Sequence, residues 1–302
     1  CMCFDEVSST SDSISKMSFV YADALTHKIQ NILQGRTNKI IKDYFLYYSY
    51  QERCKVKAVV IDMNSGYKSI IRELFPNAKI VIDRFHIVQL VNRAFNKYRV
   101  SFMNSIKDKN KELYRQLKCY WKNLLTSYDE LDNGTNKKFK YFKYITTEQE
   151  IVNYLIKQDS QLYKCYWLIQ DLREALENDD FDGFKALIND KSTLPRYMFT
   201  AIKTLRKYKR QIKNTMSYNG LSNGPLEGIN NKIKVIKRIS YGYRSFSNFK
   251  AKILLVFSLF TPSETNKKPR YSKEERQAIL DKKKEIRLKR KNRKKAILLN
   301  IA

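Results

Sequence analysis

Residues 56–83 read VKAVVIDMNSGYKSIIRELFPNAKIVID. Residues 56–61 (VKAVVI) have a buried-strand pattern that ends at Asp62, and residues 79–82 (KIVI) read as another short apolar strand that ends at Asp83. Between them Tyr67, Ile70, Ile71 and Leu74 recur at helical spacing, with Asn64 or Ser65 as the start signal and Pro76 as the stop. A strand, a helix and a strand at this length predict a βαβ unit with parallel strands. Upstream, CMCFDEV (1–7) reads as a short apolar strand interrupted by two acids, followed by a polar turn over residues 8–15. Two more strands are expected over 17–25 and 28–34, closing at Gly35. Thr37 can cap a helix that carries Ile40, Ile41, Tyr44, Phe45 and Tyr48. An early hairpin feeding a parallel unit makes a mixed α/β sheet.

The chain of 302 residues holds 59 Lys and Arg against 30 Asp and Glu, a net charge of +29, and is 43% hydrophobic. That apolar share supports a sizeable core and excludes a wholly disordered basic chain. The charge surplus repels itself and favours a polyanionic partner. Nucleic acid is the first candidate and an anionic membrane surface the second. The densest apolar run, ILLVFSLF at 253–260, is far shorter than the roughly 20 residues a bilayer span needs. No charged start, apolar stretch and cleavage site read as a signal peptide, so no membrane role is expected. The five cysteines (1, 3, 54, 119 and 165) are scattered, and no second Cys or His pair completes a zinc site. A reducing, cytoplasmic setting follows. A chain opening on Cys1 inside a structured segment is expected to continue a longer N-terminal portion.

From residue 87 to 216 strand signals give way to helical periodicity. Leu113, Leu117, Tyr120, Trp121 and Leu124 form one stripe; Ile151, Leu155, Leu162, Tyr166, Ile169, Leu172 and Leu176 form a longer one. Trp121 and Trp167 therefore read as core. This segment is expected to be an all-helical insertion between a first core segment, 1–86, and a last one, 217–263. The latter holds a helix from Pro225 to about Ile239 and another from Phe246 to about Phe260. The tail, 264–302, carries 15 basic and 5 acidic residues and reads as a helix-prone basic arm that folds on DNA, or as a disordered extension.

Among the acids, Asp5 and Asp62 sit in or at the end of apolar strands, where carboxylates are rare unless paired or bound to a cation. In open α/β sheets functional groups gather at the carboxyl ends of strands. The plainer readings are a helix cap for Asp62 and an edge-strand surface acid for Asp5. Glu227 lies in SNGPLEGINNKIKVIKR (222–238), in the first turn of a helix opened by Pro225. It is also the kind of acid that favours a helix start. In that helix Leu226, Ile229, Ile233 and Ile236 make an apolar face, and Glu227, Asn230, Asn231, Lys234 and Arg238 are expected opposite. Glu6 points away from Asp5 by strand alternation. Asp83 and His86, in DRFH (83–86), are possible accessory groups, His86 with a capping or a phosphate-facing role.

Four strings, VVIDMNSGY (59–67), FPNAKIVIDRFH (75–86), NGPLEGINNKIK (223–234) and YGYRSFSNF (241–249), together resemble bacterial insertion-sequence transposases of the ISL-three group. The resemblance implies a ribonuclease H-like core, a mixed sheet flanked by helices and interrupted by a large helical insertion. It further implies a DDE-type carboxylate triad at Asp5, Asp62 and Glu227. The second acid stands after the fourth strand, although Asp83 ends a strand too and could line the same crevice. Such a triad would hold two Mg²⁺ or Mn²⁺ ions, with Asp5 bridging, for DNA strand cleavage and strand transfer. The implied partners are transposon ends and target DNA, engaged by a homo-oligomer in a synaptic complex on the bacterial nucleoid. The family's zinc-binding and helix-turn-helix segments would precede Cys1. Arg84, Arg93, Lys232, Lys234, Lys237, Arg238 and Arg244 are the candidate DNA contacts, each against the plainer reading of a solvated basic face. Two alternatives use the same residues: a structure-selective metal-dependent nuclease, or an inactive transposase-derived DNA-binding protein.

Overall fold

The computed structural model describes residues 1–13, 15–63 and 66–259. Over these residues the chain divides into two compact units, one of residues 1–98 with 167–259, the other of residues 99–166.

The first unit is built on a five-stranded mixed sheet. β1 (Met2–Ser8), β2 (Met17–Asp23) and β3 (Ile29–Leu33) form an antiparallel meander, and β4 (Ala58–Ile61) and β5 (Lys79–Ile82) add parallel strands beside β1. The order β3-β2-β1-β4-β5 is that of a ribonuclease H-like sheet. All four residues of β4 are buried, which explains their unbroken apolar run. Strand alternation gives the sheet two different faces. Phe4 and Phe19 point to one of them, packing with Phe45 of α1 (Asn38–Leu46) and with Phe75, which follows α3 (Lys68–Leu74). Cys3, Val7, Val20, Val60 and Val81 point to the other, against Leu226, Ile229 and Ile233 of α11 (Gly224–Ile239) and Phe249 and Ile253 of α12 (Phe246–Leu259).

Local signals act where the sequence puts them. The Thr37 hydroxyl accepts the Ile40 N–H and caps α1. α3 opens at Lys68 without a side-chain cap; Asn64 and Ser65, the expected start, lie outside the described residues. The edge of β5 is covered by α10 (Arg196–Ser217). Thr215 Oγ1 accepts the Ile82 N–H at 3.0 Å and donates to the Ile82 carbonyl at 2.8 Å, while Asn214 Nδ2 donates to the Ile80 carbonyl at 2.9 Å. Side chains thus occupy backbone groups that would otherwise template another strand.

In the second unit the stripe expected over 113–124 is interrupted. α5 (Lys111–Cys119) stops at Tyr120 and α6 (Trp121–Leu125) starts afresh, so Leu113, Leu117 and Leu124 are buried while Trp121 is 40% exposed. Trp121 is therefore not core, whereas Trp167 of the first unit is. The segment is not wholly helical either. β6 (Lys137–Lys138) and β7 (Ile145–Thr146) form a short antiparallel pair ahead of α7 (Glu148–Ile156), whose start is a Thr147–Glu150 capping box. Phe260 and the basic tail, 264–302, lie outside the described residues.

Candidate active site

Strand register sets the site. Met2 lies beside Val59 and Cys3 beside Val60, while Ile61 lies beside Ile82. Carried to the carboxyl ends of the parallel strands, this register puts Asp5, Asp62 and Asp83 in one row across β1, β4 and β5. Each lies two residues beyond an inward-pointing Cys3, Val60 or Val81, so all three fall on the α11 face.

The three carboxyls meet different surroundings. Asp83 is 4% exposed and fully engaged: Oδ1 accepts the Phe85 N–H at 2.8 Å, and Oδ2 accepts the Asn223 N–H at 2.5 Å and the Ser222 hydroxyl at 3.3 Å. It caps α4 (Arg84–Ser105) and fastens the turn that opens α11. Asp62 Oδ1 accepts from His86 Nε2 at 2.8 Å and from Asn223 Nδ2 at 3.2 Å. Asp5 accepts its neighbour Glu6's N–H at 2.7 Å through Oδ1, and Asn230 Nδ2 at 2.6 Å through Oδ2. Burial pushes the Asp5 carboxyl up to about 6, aided by the nearby Asp62 charge and opposed by the Glu6 N–H. The hydrogen bond to Asp62 raises His86 above the ordinary histidine value, against its own partial burial. Glu6 turns to the other face, taking a hydrogen bond from Tyr67 and an ion pair with Arg36.

Asn223 and Asn230, which draw Asp62 and Asp5 to α11, were not among the expected site residues, and Asn230 corrects the expected helix face. It is 5% exposed and belongs to the buried side. At four residues from Leu226 it is only about 40° round the helix from that core position. Asn223, 4% exposed, precedes α11, four residues before Glu227; Asn230 comes three after it. Spacings of three and four keep both near Glu227's side of the helix. Both side-chain carbonyl oxygens, Asn223 Oδ1 and Asn230 Oδ1, are buried and have no hydrogen-bond partner among the described residues. The signal lay in the motif NGPLEGIN itself, where an amide stands on each side of the acid at helical spacing.

Glu227 is exposed on the first turn of α11, and among the described residues its carboxylate has no ion pair or hydrogen bond. No three His, Cys, Asp or Glu side chains among the described residues stand close enough to share a metal ion. The structure therefore brings Asp5 and Asp62 together and leaves Glu227 outward on the helix that packs over them.

The expected basic residues divide by environment. Arg84 is turned inward to an ion pair with Asp179 and to the Leu176 carbonyl. Lys237 is tied to the end of β1 and the residue after it, donating to the carbonyls of Ser8 and Ser9 at 3.1 and 2.7 Å, and burial lowers its pKa. Lys232 lies over the Phe257 ring, 4.9 Å from its centroid. Arg93, Lys234, Arg238 and Arg244 are exposed.

The ribonuclease H-like sheet thus carries Asp5, Asp62 and Asp83 at the carboxyl ends of adjacent parallel strands, with Glu227 on the helix above them. Residues 2–253 match a family described as Transposase, and the chain belongs to that family, the ISL-three group. It is 27% identical over 244 residues to the transposase for insertion sequence element IS1001 of Bordetella parapertussis, a match covering 79% of this chain and 56% of that one. It is also 38% identical over 150 residues to a Lactococcus lactis subsp. lactis protein named ATP-dependent protease, covering 46% of this chain and 48% of that one. The chain thus spans about half the length of these curated relatives. No solved structure matches it significantly. Among the described residues no helix is long and apolar enough to cross a membrane.

Proposed function

We propose that this chain is the catalytic part of a DDE-type transposase, cutting DNA at the ends of an insertion sequence and joining the freed 3′ ends to target DNA. The observation that carries the reading is the pair Asp5 and Asp62, set side by side by parallel register beneath the helix that bears Glu227. The catalytic core is taken as 1–86 and 217–263, with a mostly helical insertion at 87–216, whose ends, 87–98 and 167–216, pack into the same compact unit as the sheet, and a basic tail over 264–302.

The donor chemistry fits a hard divalent cation. Asp5, Asp62 and Glu227 offer only oxygen, and two orphaned amide oxygens stand next to them. Asp5 and Asp62 would hold Mg²⁺ or Mn²⁺ with Glu227 as the third ligand, two ions in all. Such ions, when bound, stabilise the charge on the attacking and leaving oxygens of phosphoryl transfer. The chain's own contribution is placement. Asn230 fixes the rotamer of Asp5, His86 and Asn223 fix that of Asp62, and Asp83 fixes the turn from which α11 presents Glu227. The surplus of positive charge holds the polyanion against these acids.

The test is strand transfer with precut terminal DNA and Mg²⁺. Wild-type protein should join ends, and D5N, D62N and E227Q should each lose joining and cleavage while still binding DNA. Cleavage without joining would support the nuclease reading, and binding with neither would leave an inactive DNA-binding protein.

A further inference from the structure

Past Glu227, the solvent side of α11 continues as an ordered stripe. Lys234 and Arg238 stand seven and eleven residues on, within about 20° of Glu227 round the helix. Beside them Val235 and Ile239 are 51% and 68% exposed, large apolar side chains turned to solvent. Between Gly228 and Leu259 there are seven Lys and Arg and no Asp or Glu.

The helix then ends on an unusual residue. The Gly242 N–H donates to the Lys237 carbonyl at 2.8 Å and the Tyr241 N–H to the Arg238 carbonyl at 3.2 Å, a Schellman ending. The left-handed position of that ending, which glycine normally takes, is held by Tyr241 at φ 51°. Its ring is fully exposed. Tyr243, two residues on, packs instead: its hydroxyl meets Ser240 Oγ at 3.0 Å and its ring lies 5.4 Å from Phe249. One tyrosine of Y-G-Y anchors the loop, and the other stands out from it on a strained backbone.

We infer that Tyr241, at the end of the helix that exposes Val235 and Ile239, is a wedge that stacks on an unpaired base of DNA whose phosphates run along Lys234, Arg238 and Arg244. An aromatic face accepts any base, and the basic rim without acids selects a polyanion rather than an apolar partner. The helical rise puts Ile239 about 18 Å from Glu227, a reach of about five nucleotides from the acid. This extends the proposed function, from which it takes only DNA as partner, by assigning a preference for locally unpaired DNA.

The experiment is equilibrium binding of the full chain in EDTA, so that no cleavage is involved. The probes are a plain duplex and the same duplex with one unpaired 2-aminopurine nucleotide. Wild-type protein should bind the second about tenfold tighter and quench the 2-aminopurine. Y241A should lose both effects and keep its duplex affinity, and Y241W should keep both. Y241G, which relieves the left-handed strain, should raise the melting temperature by about 2 °C or more and still lose the preference, separating recognition from folding. R238A and R244A should weaken both probes equally and flatten the salt dependence by about one unit each. Retention of the preference and quenching by Y241A would overturn the inference. So would an unchanged preference accompanied by dissociation of a dimer in sedimentation, which would make the surface a contact between copies. Because binding is read without metal, strand transfer retained in D5N would overturn the carboxylate reading and leave this result intact, and an inactive wedge would leave the carboxylate reading intact.

Discussion

Asn230 Nδ2 donates to Asp5 Oδ2 across 2.6 Å, joining α11 to the middle strand of the sheet. The contact ties Asp5 to the helix that carries Glu227, the third acid of the proposed triad. A buried hydrogen bond to a charged group contributes about 1.5–3 kcal/mol. Asn230→Ala should therefore reduce Mg²⁺-dependent cleavage at least tenfold, and Asn230→Asp, which sets a second negative charge against Asp5, should reduce it further at neutral pH. Single-turnover cleavage of a labelled terminal duplex measures both.

Asp5 predicts a stability penalty at neutral pH. Its folded pKa of about 6 lies above the ordinary 3.8, so the folded state holds the proton more tightly than the unfolded chain. Stability from this group is complete below about pH 4, falls as pH rises through 6, and stays low above that. Asp5→Asn should stabilise the metal-free protein by about 2 kcal/mol at pH 7.5 and hardly at all at pH 4. Denaturant melts at the two pH values check this; equal effects at both would contradict it.

Asp83 and Asp62 should separate cleanly. Asp83→Ala leaves the Asn223 and Phe85 N–H groups without their acceptor and should cost roughly 2–3 kcal/mol of stability. Asp62→Ala removes the acceptor of His86 and of the Asn223 side chain, so it should cost less stability than Asp83→Ala while abolishing cleavage. Parallel thermal melts and cleavage assays distinguish them, and a stable but inactive Asp83→Ala would assign the second acid to Asp83 instead.

Thr215→Val removes the hydroxyl that meets both backbone groups of Ile82. The expected loss is about 1–3 kcal/mol, seen as a lower urea midpoint with unchanged slope. Faster amide exchange at Ile82 than elsewhere in β5 would localise the effect.

The parallel unit was legible because each of its strands carries a short apolar run, 58–61 and 80–82, halted by an aspartate, and only a doubly covered strand can be apolar on both faces. Thr37 was legible because capping is local. Trp121 was not: periodicity assumes one continuous helix, and the break at Tyr120 resets the phase. Asn230 was misplaced because a polar side chain was assigned outward by type, although its spacing from Leu226 sets it beside the core. The roles of Asp62 and Asp83 could not be told apart within VVID and IVID. The difference arises from the Asn223 N–H, 140 residues beyond Asp83, which only the fold brings into contact. β6 and β7, two residues each, are too short to show a period.

Asp5, Asp62 and Glu227 are proposed to form one metal-binding carboxylate site for DNA strand transfer. Anomalous diffraction from crystals of the protein with terminal DNA and Mn²⁺ tests it most directly. Two Mn²⁺ peaks roughly 4 Å apart are expected, both touching Asp5, with Asp62 on one and Glu227 on the other. Peaks that bypass Asp5, or a site built on Asp83 with Asp62 unengaged, would contradict it.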